Sequence, residues 1–261
     1  MRTHHGNRIT VTLIATIAGL TATTDGGRAY AQAPTERSVA DRVAVDSPYA
    51  ISADPAEAQF VQAAAEKAIA QNCASCHGPD LRGKPGVPNL VDYDWLWGIT
   101  LEETNDVGPV MEIQQTILYG VRNNDCPAVA DQARYGGCPD TRYSEMPGYG
   151  KLGALTQAQI RDLTEYVLSL GNQPADAAAV ARGETQWAVC TECHGADGRG
   201  YKPYGGPDLT DDIWLYGGDR AAIVDVIANG RLGTCPAWVY KLDEATIKSI
   251  AVYLWRKVQE G

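Results

Sequence analysis

The sequence predicts an all-α fold built twice in tandem, and three observations predict it. A short stretch, Cys73-Ala74-Ser75-Cys76-His77-Gly78, recurs as Cys190-Thr191-Glu192-Cys193-His194-Gly195, and the features after each copy recur in the same order. Each copy closes on a stretch of helical spacing: Ile160, Leu163, Val167 and Leu170 share one face, as do Ile247, Ile250, Leu254 and Val258. No strand-like alternation of any length interrupts the pattern.

Taken in chain order, the first 33 residues form a secretory leader. Arg2, His4, His5 and Arg8 make a positive head, Ile9 to Leu20 are mostly apolar, and Ala31 or Ala33 offers the small residue that cleavage needs. The apolar run carries Thr10, Thr12 and Thr16, and a membrane span needs about 20 apolar residues, which argues against an uncleaved anchor. Residues 34–58 follow as a flexible linker.

The two copies occupy residues 59–171 and 176–261, joined by a short link at 172–175. A 261-residue chain has room for two such domains. Helices rich in alanine are expected to precede each cysteine motif, at Pro55 to Asn72 and around Ala175 to Val189. Pro88-Asn89-Leu90 then matches Pro207-Asp208-Leu209, Trp95-Leu96-Trp97-Gly98 matches Trp214-Leu215-Tyr216-Gly217, and Ile113 to Gly120 matches Ile223 to Gly230. Met146-Pro147 aligns with Cys235-Pro236. Thr156 with Gln159 reads as a capping box opening the helix that ends near Gly171.

Charge excludes one class of partner. Loss of Met1 to Ala31 removes Arg2, Arg8, Arg28 and Asp25, leaving 19 basic against 31 acidic residues. Nucleic acid is therefore not expected as a partner, whereas an acidic surface suits either solubility or docking to a basic face on a redox protein.

The chemistry lies in the repeated motif. Wound as one helical turn, Cys-x-x-Cys-His places both thiols and the imidazole on one face. Two thioether bonds and one axial ligand then hold a haem, so the chain is expected to carry two covalently bound haem c groups, at Cys73, Cys76 and His77 and at Cys190, Cys193 and His194. Zinc sites or thioredoxin-like pairs would leave both histidines unexplained.

At this point the chain resembles tandem class I cytochrome c domains, and most closely the soluble dihaem part of subunit III of cbb3-type oxidases. The resemblance rests on His194-Gly195-Ala196-Asp197-Gly198-Arg199-Gly200, Trp214-Leu215-Tyr216-Gly217-Gly218, Gly230-Arg231 and Pro236-Ala237-Trp238. It implies that Pro88 and Pro207 offer their carbonyls to the ligand histidines, and that Met146 is the sixth ligand of the first haem, opposite His77. Met111 is the competing methionine in that domain.

The second domain departs from the family, with Thr234-Cys235-Pro236 where a methionine is expected. The remaining histidines, His4 and His5, lie in the leader, which makes Cys235 the candidate ligand opposite His194. A neutral thiol near an open iron, displacement by Lys241 or Lys202, and a disulfide to another chain remain as alternatives. Cys126 and Cys138, in an insertion that the second copy lacks, are close enough in sequence to suggest a disulfide. Arg82 and Arg199 occupy matching positions where a guanidinium suits a haem propionate, or else a solvated surface. Trp95, Trp97 and Trp214 either wall a haem edge or pack as ordinary core.

The resemblance implies a periplasmic carrier of single electrons between a dehydrogenase or other donor and a terminal oxidase or cytochrome acceptor. No membrane span is expected in the mature chain, with docking to a membrane complex left open. The alternative is a dihaem oxidoreductase of the thiosulfate dehydrogenase type with a His/Cys-ligated haem.

Overall fold

In a computed structural model, residues 37–98, 107–123 and 140–260 are described. The leader and the Cys126 and Cys138 pair lie outside them. The described residues contain ten α-helices, joined by turns and isolated bridges rather than strands.

Residues 34–58, expected as a flexible linker, are helical from Val39 onward. Helix α1 spans Val39–Val45 and opens on a reciprocal capping box between Ser38 and Asp41. Helix α2 spans Pro48–Ala53, with Ser47 as its cap and proline at its first position. Val43 and Ile51 have no solvent exposure, so these helices belong to the core. Arg42 ties α1 to α3 through a 2.7 Å ion pair with the buried Glu57.

Helix α3 covers Pro55–Asn72, the expected span, capped by the Asp54 carboxylate. A one-turn helix, α4 (Ala74–His77), carries the first cysteine motif, and α5 (Val107–Tyr119) follows. Helix α6 (Gln157–Leu170) opens on the Thr156 and Gln159 capping box. Its C-terminal Gly171 keeps a negative φ, and the left-handed residue is instead Asn172, at φ 55°.

The helix expected around Ala175 to Val189 comes in two pieces, α7 (Ala177–Glu184) and a 3-10 turn at Trp187–Val189. Gly183, inside α7, marks a close crossing: a Cβ there would lie 2.2 Å from Asp162 O of α6. The second motif forms α8 (Thr191–His194), followed by α9 (Arg220–Asn229) and α10 (Glu244–Glu260).

Packing crosses the boundary between the repeats. Helix α10, which closes the second repeat in sequence, packs on α3, α5 and α1; helix α6, which closes the first, packs on α7 and α9. Two apolar cores result. One joins Val61, Ala65 and Ile113 to Ile250, Leu254 and Val258, and the other joins Ile160, Leu163 and Val167 to Trp187, Ile223 and Ile227. Each core is therefore assembled from both halves of the chain.

Candidate functional site

The two cysteine motifs have the same local geometry. In each, the first cysteine is the N-cap of a one-turn helix and a glycine ends it, Gly78 at φ 81° and Gly195 at φ 76°. That turn lets the chain fold back so that the proline carbonyl meets the histidine ring: His77 Nδ1 lies 2.9 Å from Pro88 O, and His194 Nδ1 lies 3.1 Å from Pro207 O. A carbonyl only accepts, so Nδ1–H donates in both, and the Nε2 lone pair is left for a metal. Burial pulls His194 below the usual imidazole range, with the Pro207 bond opposing it. Burial likewise pushes the Cys190 thiol up to about 11, with Cys193 adding to the effect.

Around the second motif lies a cavity of about 580 Å³, a size suited to a large cofactor. Leu163, Val167, Ile223 and Ile227 form apolar wall, and Cys190, Cys193, His194 and Met146 all line it. Thioether-forming thiols, a nitrogen ligand, a sulfur ligand and apolar walls are what a covalently attached haem requires, so the residues present fit that group.

Met146 thus sits with the second motif. Its backbone pairs with Arg231, N to O at 3.2 Å and 2.9 Å in return. Cys235 makes the equivalent pair with Val121, 3.0 Å both ways. Burial pushes the Cys235 thiol up to about 11, and Cys73 and Cys76 are near enough to add to the shift, which places Cys235 beside the first motif. The pairing expected from repeat order, His77 with Met146 and His194 with Cys235, is therefore exchanged in space. Its physical cause is the crossing of α6 and α10, since each sulfur-bearing loop leads into one of them.

Two glycines allow the crossing. Gly120 ends α5 and Gly230 ends α9, at φ 74° and 72°. A Cβ on Gly120 would lie 2.3 Å from Cys235 O, and one on Gly230 would lie 2.5 Å from Met146 O. The repeat had aligned these glycines, and their contacts are what sequence reasoning missed.

Other expected residues fall as follows. Met111 is 61 % exposed on α5, away from a ligand position. Lys202 Nζ donates to Trp95 O at 3.0 Å, and Lys241 lies over the Trp238 ring, so neither is placed to displace Cys235. Arg82 lines the cavity of the second motif, whereas Arg199 is exposed beside Asp197. Trp214 lines the cavity and Trp95 packs on the first core. Trp97 instead lies on Gly205 of the other repeat, with Arg142 above its ring at 5.5 Å. Tyr216, its repeat equivalent, rests against Gly86 beneath Arg231 at 5.0 Å.

The family described as cytochrome c matches residues 62–171, and the family described as cytochrome c oxidase, cbb3-type, subunit III matches residues 178–254. The cbb3-type cytochrome c oxidase subunit CcoP of Cereibacter sphaeroides is 42 % identical over 206 residues, covering 78 % of this chain and 64 % of that protein. The subunit FixP of a Bradyrhizobium species is 41 % identical over 208 residues, covering 78 % and 63 %. The CcoP of an Azospirillum species is 40 % identical over 201 residues, covering 75 % and 62 %. The chain thus spans just under two thirds of the length of these relatives. The chain is built of two cytochrome c domains with two covalently bound haem c groups, and it resembles the dihaem part of subunit III of the cbb3-type cytochrome oxidases.

Proposed function

We propose that this chain is a periplasmic electron carrier that takes single electrons from a dehydrogenase or other donor and delivers them to a terminal oxidase or other acceptor. The observation that carries the reading is the paired geometry of His77 and His194, each held by a proline carbonyl beside two thiols. The relatives' names, as subunits of cbb3-type oxidases, support an oxidase as acceptor or assembly partner. They give no support to the alternative of a thiosulfate dehydrogenase-like oxidoreductase. Among the described residues no helix is long and apolar enough to cross a membrane.

Bound haem supplies a ferrous–ferric couple at each site. Cys73, Cys76, Cys190 and Cys193 attach the two groups, and His77 and His194 each present Nε2 in a fixed orientation because Nδ1 is engaged. With haem bound beside His194, Met146 would offer its thioether to the iron, and a soft thioether would favour the reduced state. With haem bound beside His77, Cys235 would offer its sulfur to the iron. Metal binding would remove the proton that burial otherwise keeps on this thiol, and the added negative charge would favour the oxidised state and make this the site of lower potential. The apolar walls exclude water and keep the change in solvation small as an electron arrives or leaves.

A spectroelectrochemical titration of the haem-loaded protein beside Cys235→Met tests this reading. The wild type should show two separated one-electron waves, and the substitution should raise the lower wave alone. A variant that leaves both waves in place would remove Cys235 from the ligand set, and haems that do not cycle reversibly would remove the carrier function.

A further inference from the structure

Arg122 stands just after α5 in the left-handed region, at φ 49°, which an arginine keeps only where its surroundings hold it. Its guanidinium supplies the hold. Nη1 donates to Ser144 O at 2.5 Å, and Nε donates to Gly233 O. Ser144 stands two residues before Met146, and Gly233 stands two residues before Cys235. One planar fork therefore grips the equivalent carbonyl in both sulfur-bearing loops. The side chain is half-buried and lines the cavity of the second motif. At the matching position of the other repeat stands Leu232, 58 % exposed and without a donor, so the tie occurs once rather than twice.

We propose that Arg122 is a positioning residue for the sixth ligands of both haems, a side-chain tie through which displacement of one sulfur bears on the other. This rests on the reading of Met146 and Cys235 as those ligands. Backbone pairs also join these segments, Met146 to Arg231, Cys235 to Val121, and Arg142 to Gly120 and Arg122, but none of them engages the carbonyls of Ser144 and Gly233. The guanidinium adds a direct link between those two carbonyls, its donors fixed relative to one another in one plane. A lysine keeps the charge and not the fork.

The test measures imidazole binding to the ferric, haem-loaded protein, which competes for the sixth position and reports on each iron as a separate phase. Met146→Ala and Cys235→Ala should each open one haem; if either opens none, the ligand reading fails, whatever Arg122 does. With both opening one haem, Arg122→Gln should tighten imidazole binding about tenfold in both phases, equivalent to about 1.4 kcal/mol at each site. Arg122→Lys should tighten at least one phase. A lowered melting temperature with one or neither phase altered in Arg122→Gln makes the arginine an ordinary loop bond and overturns the proposal. So does a lysine variant that matches the wild type in both phases, and this second variant decides the matter alone if the glutamine variant does not fold.

Discussion

Substitution of Gly230 by alanine tests the exchange of sulfur ligands with a perturbation of known size and direction. Gly230 has φ 72° and ψ 175°, a region essentially closed to residues with a Cβ, at a cost of about 1–3 kcal/mol. The new methyl would also stand 2.5 Å from Met146 O and 2.6 Å from Gly148 N. The loop must retreat by about 1 Å to restore ordinary van der Waals separation, enough to break a metal–sulfur bond. Gly120→Ala makes the mirror perturbation, since its Cβ would stand 2.3 Å from Cys235 O. Gly230→Ala should therefore convert the haem attached at Cys190 and Cys193 to a high-spin form, and Gly120→Ala the haem attached at Cys73 and Cys76. Resonance Raman spin-state markers would show the conversion, with each haem assigned by its potential. The opposite assignment, in which Gly230→Ala opens the haem of Cys73 and Cys76, would refute the exchange and restore ligation within each repeat.

Three further outcomes are expected. Burial, reinforced by Asp211 and Asp92 and opposed by Lys202, pushes Asp94 up to about 6; a carboxyl raised in the folded state costs stability as pH rises from about 4 through 6. Asp94→Asn should accordingly stabilise the protein by about 1 kcal/mol at pH 7.5, after discounting for solvent screening, and by nothing below about pH 4; equal gains at both pH values in denaturant melts would contradict this. Gly183→Ala, although favoured by helix propensity, drives a methyl into Asp162 O at 2.2 Å and should cost about 2 kcal/mol, so a raised melting temperature would disprove the close crossing of α6 and α7. Thr156→Ala removes the acceptor for Gln159 N at 3.3 Å and should cost about 1 kcal/mol, read by thermal unfolding, with no change in either haem spectrum.

Much of the local structure was legible because local chemistry dictates it. Pro55 to Asn72 is a long alanine-rich run between a capping Asp54 and the cysteine motif, and it folded over that span. The proline carbonyls and the Thr156 cap follow from short-range geometry in the same way. Helices α1 and α2 were missed although Ser38 with Asp41 and Ser47 before Pro48 are the usual start signals; their shortness hid them. The exchange of α6 and α10 was not legible at all. The repeats resemble one another, so each closing helix offers an apolar face that suits either core, and spacing along the chain says nothing about which core it meets. The role of Arg122 was hidden for a related reason, since Ser144 and Gly233 meet only in three dimensions.

The crossing of the closing helices also fixes the order in which the chain can mature. The core beside the first cysteine motif is completed by Ile250, Leu254 and Val258, which lie far beyond that motif in sequence. Its contacts join residues far apart in sequence, and such topologies fold slowly because the loop must close before packing rewards it. The core beside the first motif therefore cannot close until that distant helix is available to it. By the same topology, each apolar core needs helices from both halves of the chain.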